Sequence, residues 1–190
     1  RDLLPYIKKW CEKAGIECYT DTPEAGKLHS LEDEITYYIS HANAKEYDLV
    51  VQLHLNSFNK KAKGCEVWYY PSSAMGMQYA DSVCNKLGSV WKNRGVKESK
   101  TLYWLRKTSA PSILIESFFC DNAGDYLTAV KIGLDVHAKL IVEGILGKDI
   151  TTYNSRYSVL VGNYDNKKTA SSISKELSKL GYKTEVVKRG

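Results

Sequence analysis

The chain has 190 residues, of which 43% are hydrophobic and 26% charged, and 27 Lys and Arg against 22 Asp and Glu give it a formal net charge of +5. That length holds one ordinary domain and a small appendage, with a core adequate without covalent staples. No stretch is apolar enough over a sufficient length to cross a membrane, and the lysines are dispersed rather than gathered into an arginine-rich block, which argues against a nucleic-acid interface.

Five cysteines, Cys11, Cys18, Cys65, Cys84 and Cys120, form an odd set with no C-x-x-C pair. They point to reduced thiols in a chain made in a cytoplasm, not to a zinc knuckle or disulfide framework. The chain opens at Arg1 with neither an initiator methionine nor a visible signal peptide, so the expectation is that a segment upstream is missing.

In chain order, Leu3, Leu4, Ile7, Trp10, Cys11 and Ala14 recur at helical spacing and Gly15 stops the helix. Ile16 to Thr20 reads as a short strand, and Asp21 to Lys27, with Pro23 and Gly26, as a loop. Ser30 followed by Asp33 and Glu34 predicts a helix start, with the helix running to about Asn43. His29 and His41 flank this segment, and isolated histidines in polar surroundings are usually solvated surface groups. Leu49 to Ser57 is an apolar, β-branched run carrying His54. The polar stretch Asn59 to Gly64 follows, in which Lys60, Lys61 and Lys63 meet substrate carboxylates or form a solvated turn. Cys65 to Tyr70 is a second strand, closed by Pro71.

Met75, Tyr79, Val83 and Leu87 mark a helix capped by Ser72 or Ser73 and ended by Gly88. Asn93 to Lys97 reads as a loop and Leu102 to Leu105 as a short edge strand. Pro111 to Ser117 is another buried strand and carries Glu116. Asp121 to Asp125 enters a long helix that runs through Tyr126, Val130, Leu134, His137, Ile141 and Ile145 and ends near Gly147, with His137 packed among apolar neighbours. Lys148 to Arg156 reads as a linker. Beyond it, a strand at Tyr157–Gly162, a helix at Thr169–Leu180 and a strand at Lys183–Val187 make a βαβ-like appendage, short for an independently stable unit.

The fold class is therefore α/β: a mostly parallel sheet flanked by helices, with the small C-terminal appendage. In such sheets ligands collect at the carboxyl ends of strands, where His54 and Glu116 can hold a metal and act as a general base. The plainer alternative makes His54 a hydrogen-bonded core histidine and Glu116 a capping or salt-bridged carboxylate.

Four ordered motifs carry a resemblance: Leu53-His54-Leu55-Asn56-Ser57, Gly64-Cys65-Glu66-Val67 with its aromatic tail, Asn93-Arg94-Gly95-Val96-Lys97, and Pro111-Ser112-Ile113-Leu114-Ile115-Glu116 followed by Asp121-Asn122. Together they closely resemble the zinc N-acetylmuramoyl-L-alanine amidases of the third amidase family, nearest to endolysins and autolysins of clostridial type, over the chain from its first residues to about Leu146. The resemblance implies an enzyme that cleaves the amide between N-acetylmuramic acid and the L-alanine of the stem peptide in bacterial peptidoglycan. It implies a zinc ion held by a histidine in a Gly-His motif, a glutamate and a second histidine. His54 matches that second histidine and Glu116 the catalytic glutamate; Asn56 and Arg94 are candidate substrate contacts. A zinc ion with three protein ligands keeps a position for water and lowers its pKa, and Glu116 would accept the water's proton.

The chain departs from the pattern at its start: it contains no Gly-His pair, and the other zinc ligands are expected upstream of Arg1. The alternative is a non-catalytic, amidase-like protein that binds or regulates the cell wall. Residues 157–190 resemble the first half of a sporulation-related repeat, a wall-binding module. The implied organisation is a catalytic domain over 1–147, a linker over 148–156 and a partial wall-binding module over 157–190. The expected site of action is the bacterial cell wall, reached outside the cell or at lysis, with no membrane insertion.

Overall fold

A computed structural model describes residues 2–22, 30–150, 165–180, 184 and 186 of the chain. Chain contacts divide it into two compact units, Arg1–Thr152 and Tyr153–Gly190. The first unit starts with α1 (Leu4–Lys13), which takes Pro5 in its first turn where no N–H is needed. In α2 (Leu31–Ala42), the Ser30 hydroxyl accepts the Asp33 N–H at 3.0 Å. Glu32, Asp33 and Glu34 complement the helix dipole there.

Four strands, β1 (Val50–Asn56), β2 (Cys65–Tyr69), β3 (Asn93–Glu98) and β4 (Ser112–Phe119), form one sheet in the order β1-β4-β2-β3. β1 runs parallel to β4 and β2 parallel to β3, while β2 and β4 are antiparallel. The expected mostly parallel sheet is thus a mixed sheet with two of its three pairings parallel, flanked by helices. Side chains alternate between the two faces of each strand. One face presents Cys65, Val67, Ile113 and Ile115, all 0% exposed, to α3 (Ala74–Leu87) and α5 (Ala123–Leu146). Val83, Leu87, Ile141 and Val142 complete this core, which Ile7, Trp10 and Cys11 of α1 extend. Full burial of each such isoleucine contributes about 1.5–3 kcal/mol.

The Ser73 hydroxyl caps α3 by accepting the Gly76 N–H at 3.0 Å. Asn122 caps α5, its side-chain Oδ1 accepting the Gly124 and Asp125 N–H groups. Inside α5, Gly133 takes φ 73° and ψ 168°, a conformation that other residues rarely adopt, and the helix kinks there. Before the kink Tyr126, Leu127 and Val130 are exposed; after it Ala138, Ile141 and Val142 are buried.

Three local expectations are corrected. Asn93 to Lys97 is not a loop but β3: its turn-forming residues are overridden by parallel pairing with β2, with a register irregularity between Cys65 and Val67 that accommodates Gly95. Leu102 to Leu105 is not a strand but the entry to a short helix, α4 (Tyr103–Lys107). The Ser99 hydroxyl accepts the Thr101 and Leu102 N–H groups and turns the chain, and the Trp104 indole donates to the Ile113 carbonyl at 3.2 Å, docking α4 on β4. Ile16 to Thr20 joins no ladder among the described residues; the Ile16 N–H is spent on the Cys11 carbonyl at 2.9 Å, closing α1.

In the second unit, α6 (Lys167–Lys179) is capped by the Asn166 side chain, which accepts the Thr169 N–H at 2.9 Å. The expected strand at Tyr157–Gly162 lies outside the described residues, as does the linker beyond Ile150. Of Lys183–Val187 only Thr184 and Val186 are described, neither in a strand. No described helix is long and apolar enough to cross a membrane.

Candidate active site

Residues opposite each other in a ladder share a face, so the register across three strands builds a row of side chains. His54 of β1 lies opposite Glu116 of β4, and Glu116 lies opposite Glu66 of β2. From β3, Arg94 extends the row by donating its Nε–H to Glu66 Oε2 at 2.8 Å. The row occupies the sheet face turned away from the core, because Ile115 and Val67, one residue along, are fully buried on the other.

Past Glu116 the register shifts: Asn56 lies opposite Phe119, so two residues of β1 face three of β4. This bulge sends Phe118 into the core, where its ring stacks on Trp91 with centroids 5.2 Å apart. Phe119 instead comes to the site face, with the Arg94 guanidinium carbon 4.9 Å from its ring centroid. Glu116 therefore sits within β4, three residues before the strand ends, and not at its terminus as expected.

The two carboxylates of the row differ in their surroundings. Glu66 is buried, and both its oxygens are partnered: Oε2 by Arg94 and Oε1 by the Asn56 side-chain N–H at 2.9 Å. Glu116 has a buried oxygen, Oε2, with no hydrogen-bond partner among the described residues. Desolvation, reinforced by the neighbouring Glu66 charge, pushes the Glu116 carboxyl up to about 7. A carboxyl at that value exchanges a proton readily near neutral pH. His54, two residues before the end of β1, is exposed, yet desolvation of its ring holds it below the ordinary imidazole value, with the Glu34 carboxylate of α2 pulling the other way.

The surrounding frame is fixed by two further carboxylates. Buried Asp125 accepts the Gly64 N–H at 2.7 Å and the Phe119 N–H at 3.1 Å, tying the entry of β2 to the exit of β4. A side chain at Gly64 would place its Cβ 2.1 Å from the Lys92 carbonyl oxygen, so only glycine permits this approach. Asp121 accepts the Phe58 and Lys60 N–H groups at 3.1 and 2.9 Å, which holds its carboxyl below the usual range and orders the loop that follows β1.

Of the residues singled out in the sequence, His54, Glu116, Asn56 and Arg94 all come to this face. Asn56 is engaged within the protein, by Glu66 and by the Ser57 N–H. His41 is exposed on α2 and interacts with Tyr37 and Asp21. His137 is buried against Trp91 and Phe118, and His29 lies outside the described residues. Sequence reasoning assigned no part to Glu66, although a charged residue inside the apolar run Cys65 to Tyr69 was the available signal. As for a metal, the described residues supply one imidazole beside one carboxylate with a free oxygen. No three His, Cys, Asp or Glu side chains gather around a point among them. These residues alone do not make a metal centre.

The chain is 30% identical over 208 aligned residues to an uncharacterized protein of Clostridium perfringens, covering 99% of this chain and 60% of that protein. It therefore spans about 60% of the length of that curated relative. Among solved structures it is similar to the catalytic domain of the CD27L endolysin targeting Clostridia difficile. The identity is 42% and the TM-score 0.75, over 78% of this chain and 81% of that one. An N-acetylmuramoyl-L-alanine amidase from Clostridium difficile 630 is 27% identical with a TM-score of 0.58, over 76% of this chain and 81% of that one. Residues 1–146, which include all four strands and the whole His54–Arg94 row, match the N-acetylmuramoyl-L-alanine amidase family, and the chain belongs to it.

Proposed function

We propose that the protein is a peptidoglycan hydrolase that cleaves the amide between N-acetylmuramic acid and the L-alanine of the stem peptide, with Glu116 as general base. The observation that supports this is the asymmetry of the two carboxylates on the site face. Glu66 is saturated by Arg94 and Asn56, while Glu116 keeps a buried oxygen without a protein partner and a carboxyl raised to about 7. A carboxylate in that state takes a proton from a water as the water oxygen bonds to the amide carbon. It returns the proton to the alanine nitrogen as the carbon–nitrogen bond breaks.

Members of the family are generally zinc-dependent. In this reading His54 is one zinc ligand, the one that the described residues supply. The wall is the site of action, and residues 157–190 act as a wall-binding appendage of the catalytic domain.

Incubation of the purified full-length protein with purified peptidoglycan is expected to release new L-alanine amino termini and no new reducing sugar ends. Walls left uncut, while a lysozyme control opens them, would overturn the proposal. One observation favours a second reading, a non-catalytic wall-binding protein: the described residues do not gather three metal ligands. Metal analysis of the full-length protein separates the two, since stoichiometric zinc excludes the binding-only reading.

A further inference from the structure

Resting on the amidase reading, we propose that Arg94, held by Glu66, recognises a carboxylate in the peptide half of the substrate. The protein then prefers stem peptides with a free acid on the residue after L-alanine over the same peptides amidated there. Glu66 is a positioning residue in this arrangement and Arg94 a specificity-determining one.

The geometry of Arg94 carries the inference. An arginine that merely neutralises a carboxylate commonly does so with two parallel N–H bonds. Arg94 gives Glu66 its Nε–H alone, at 2.8 Å, and its two terminal amino groups have no acceptor among the described residues. Its side chain is 33% exposed, and its guanidinium carbon lies over the Phe119 ring, 4.9 Å from the centroid. Nε is thus held by Glu66 and the group packs against an aromatic ring, while the two-pronged end is free of acceptors among the described residues and can meet a ligand. That end suits a carboxylate. Because Asn56 satisfies the second Glu66 oxygen, Glu66 is anchored from both sides and cannot swing to follow Arg94.

Position supports the same ligand. Strands lie about 4.8 Å apart, so Glu116 and Arg94, two strands apart in the row, have backbones separated by about 10 Å. In the proposed pose the scissile amide sits at Glu116 and the peptide half runs along the row toward Arg94, at about 3.8 Å per Cα step. The acid group of that residue falls within reach of the long arginine side chain.

The test uses the intact protein and two preparations of solubilised peptidoglycan strands, alike except that the residue after L-alanine bears a carboxylate in one and a carboxamide in the other. The parent protein is expected to favour the acid form at least tenfold in kcat/KM, mainly through KM; this comparison needs no variant to fold. Arg94→Gln is expected to reduce the preference below twofold. Arg94→Lys, which keeps the charge without the fork, should retain an intermediate preference. Glu66→Gln should raise KM for the acid form more than for the amide form, whereas a merely structural role would slow both alike. Equal cleavage by the parent, or a preference that survives Arg94→Gln, overturns the proposal and leaves the amidase reading standing. If the parent cuts neither preparation, the amidase reading itself fails and this proposal with it.

Discussion

The two faces of the sheet are built from the same strands and differ in almost every physical respect. Toward α3 and α5, Cys65, Val67, Ile113 and Ile115 are wholly buried, and the interior they form is close to the apolar ideal. Toward the other side, the positions one residue along hold Glu66 and Glu116, with His54 and Arg94 beside them. Burying a carboxylate opposes folding unless its oxygens are paired. The core face therefore supplies the stability that the site face draws on, and the difference teaches which substitutions touch folding and which touch chemistry.

The largest expected effect is on chemistry. Glu116→Gln is expected to lower kcat on peptidoglycan by about 10²–10⁴-fold, the usual contribution of a positioned base, with an unchanged circular dichroism spectrum. Retained turnover in that variant would remove Glu116 from the mechanism. Next comes the residue beside it: Ile115→Ala, on the fully buried face, is expected to cost about 2–5 kcal/mol of stability in denaturant unfolding. A small loss there would break the contrast between the faces.

The third prediction reverses the sign. With metal removed by a chelator, Glu116 titrates at about 7 in the folded protein against 4.5 when unfolded. The neutral acid is favoured by folding, so that contribution is complete below pH 4.5 and is lost as pH rises toward 7. Glu116→Gln is then expected to be more stable than the parent at pH 8, by up to about 3 kcal/mol, and equal to it at pH 4. Equal stability at both values would show that the carboxylate is not desolvated.

The fourth concerns a titratable group on the core side. Burial pushes His137 down to about 4, and its Nε2 has no hydrogen-bond partner among the described residues. The folded protein resists protonating it, so the stability it permits is present above 6.5 and is lost as pH falls toward 4. His137→Leu is expected to flatten the acid limb of the stability profile by roughly 1–3 kcal/mol between those values. An unchanged acid limb would place the acid sensitivity elsewhere.

Much of this arrangement was legible in the sequence. The runs Leu49 to Ser57 and Pro111 to Ser117 announced buried strands by their β-branched residues, and the placement of His54 and Glu116 opposite each other follows from pairing those runs in parallel. What stayed hidden depended on partners distant in the chain. Asn93 and Gly95 carry turn chemistry, and only β2 beside them makes a strand of that segment. Leu102 to Leu105 has strand composition, and the Ser99 turn with the Trp104 anchor makes it helical. Glu66 had no assigned part because its meaning lies in Arg94, 28 residues away, and in Asn56, 10 residues before it.

The kink at Gly133 has a consequence for motion. The helix is broken at Gly133 and carries two different local stabilities on either side of the break. The segment from Tyr126 to Ile132 exposes Tyr126, Leu127 and Val130, while the segment from Ala138 to Gly144 is locked into the core. With the helical bond pattern interrupted between them, the first segment can open without the second. Its amide hydrogens should exchange with deuterated solvent well before those of Ala138 to Gly144, which should be released only when the whole unit unfolds. The stretch of α5 between Asp125, which stays tied to β2 and β4, and Gly133 is thus free to breathe over a sheet that stays closed.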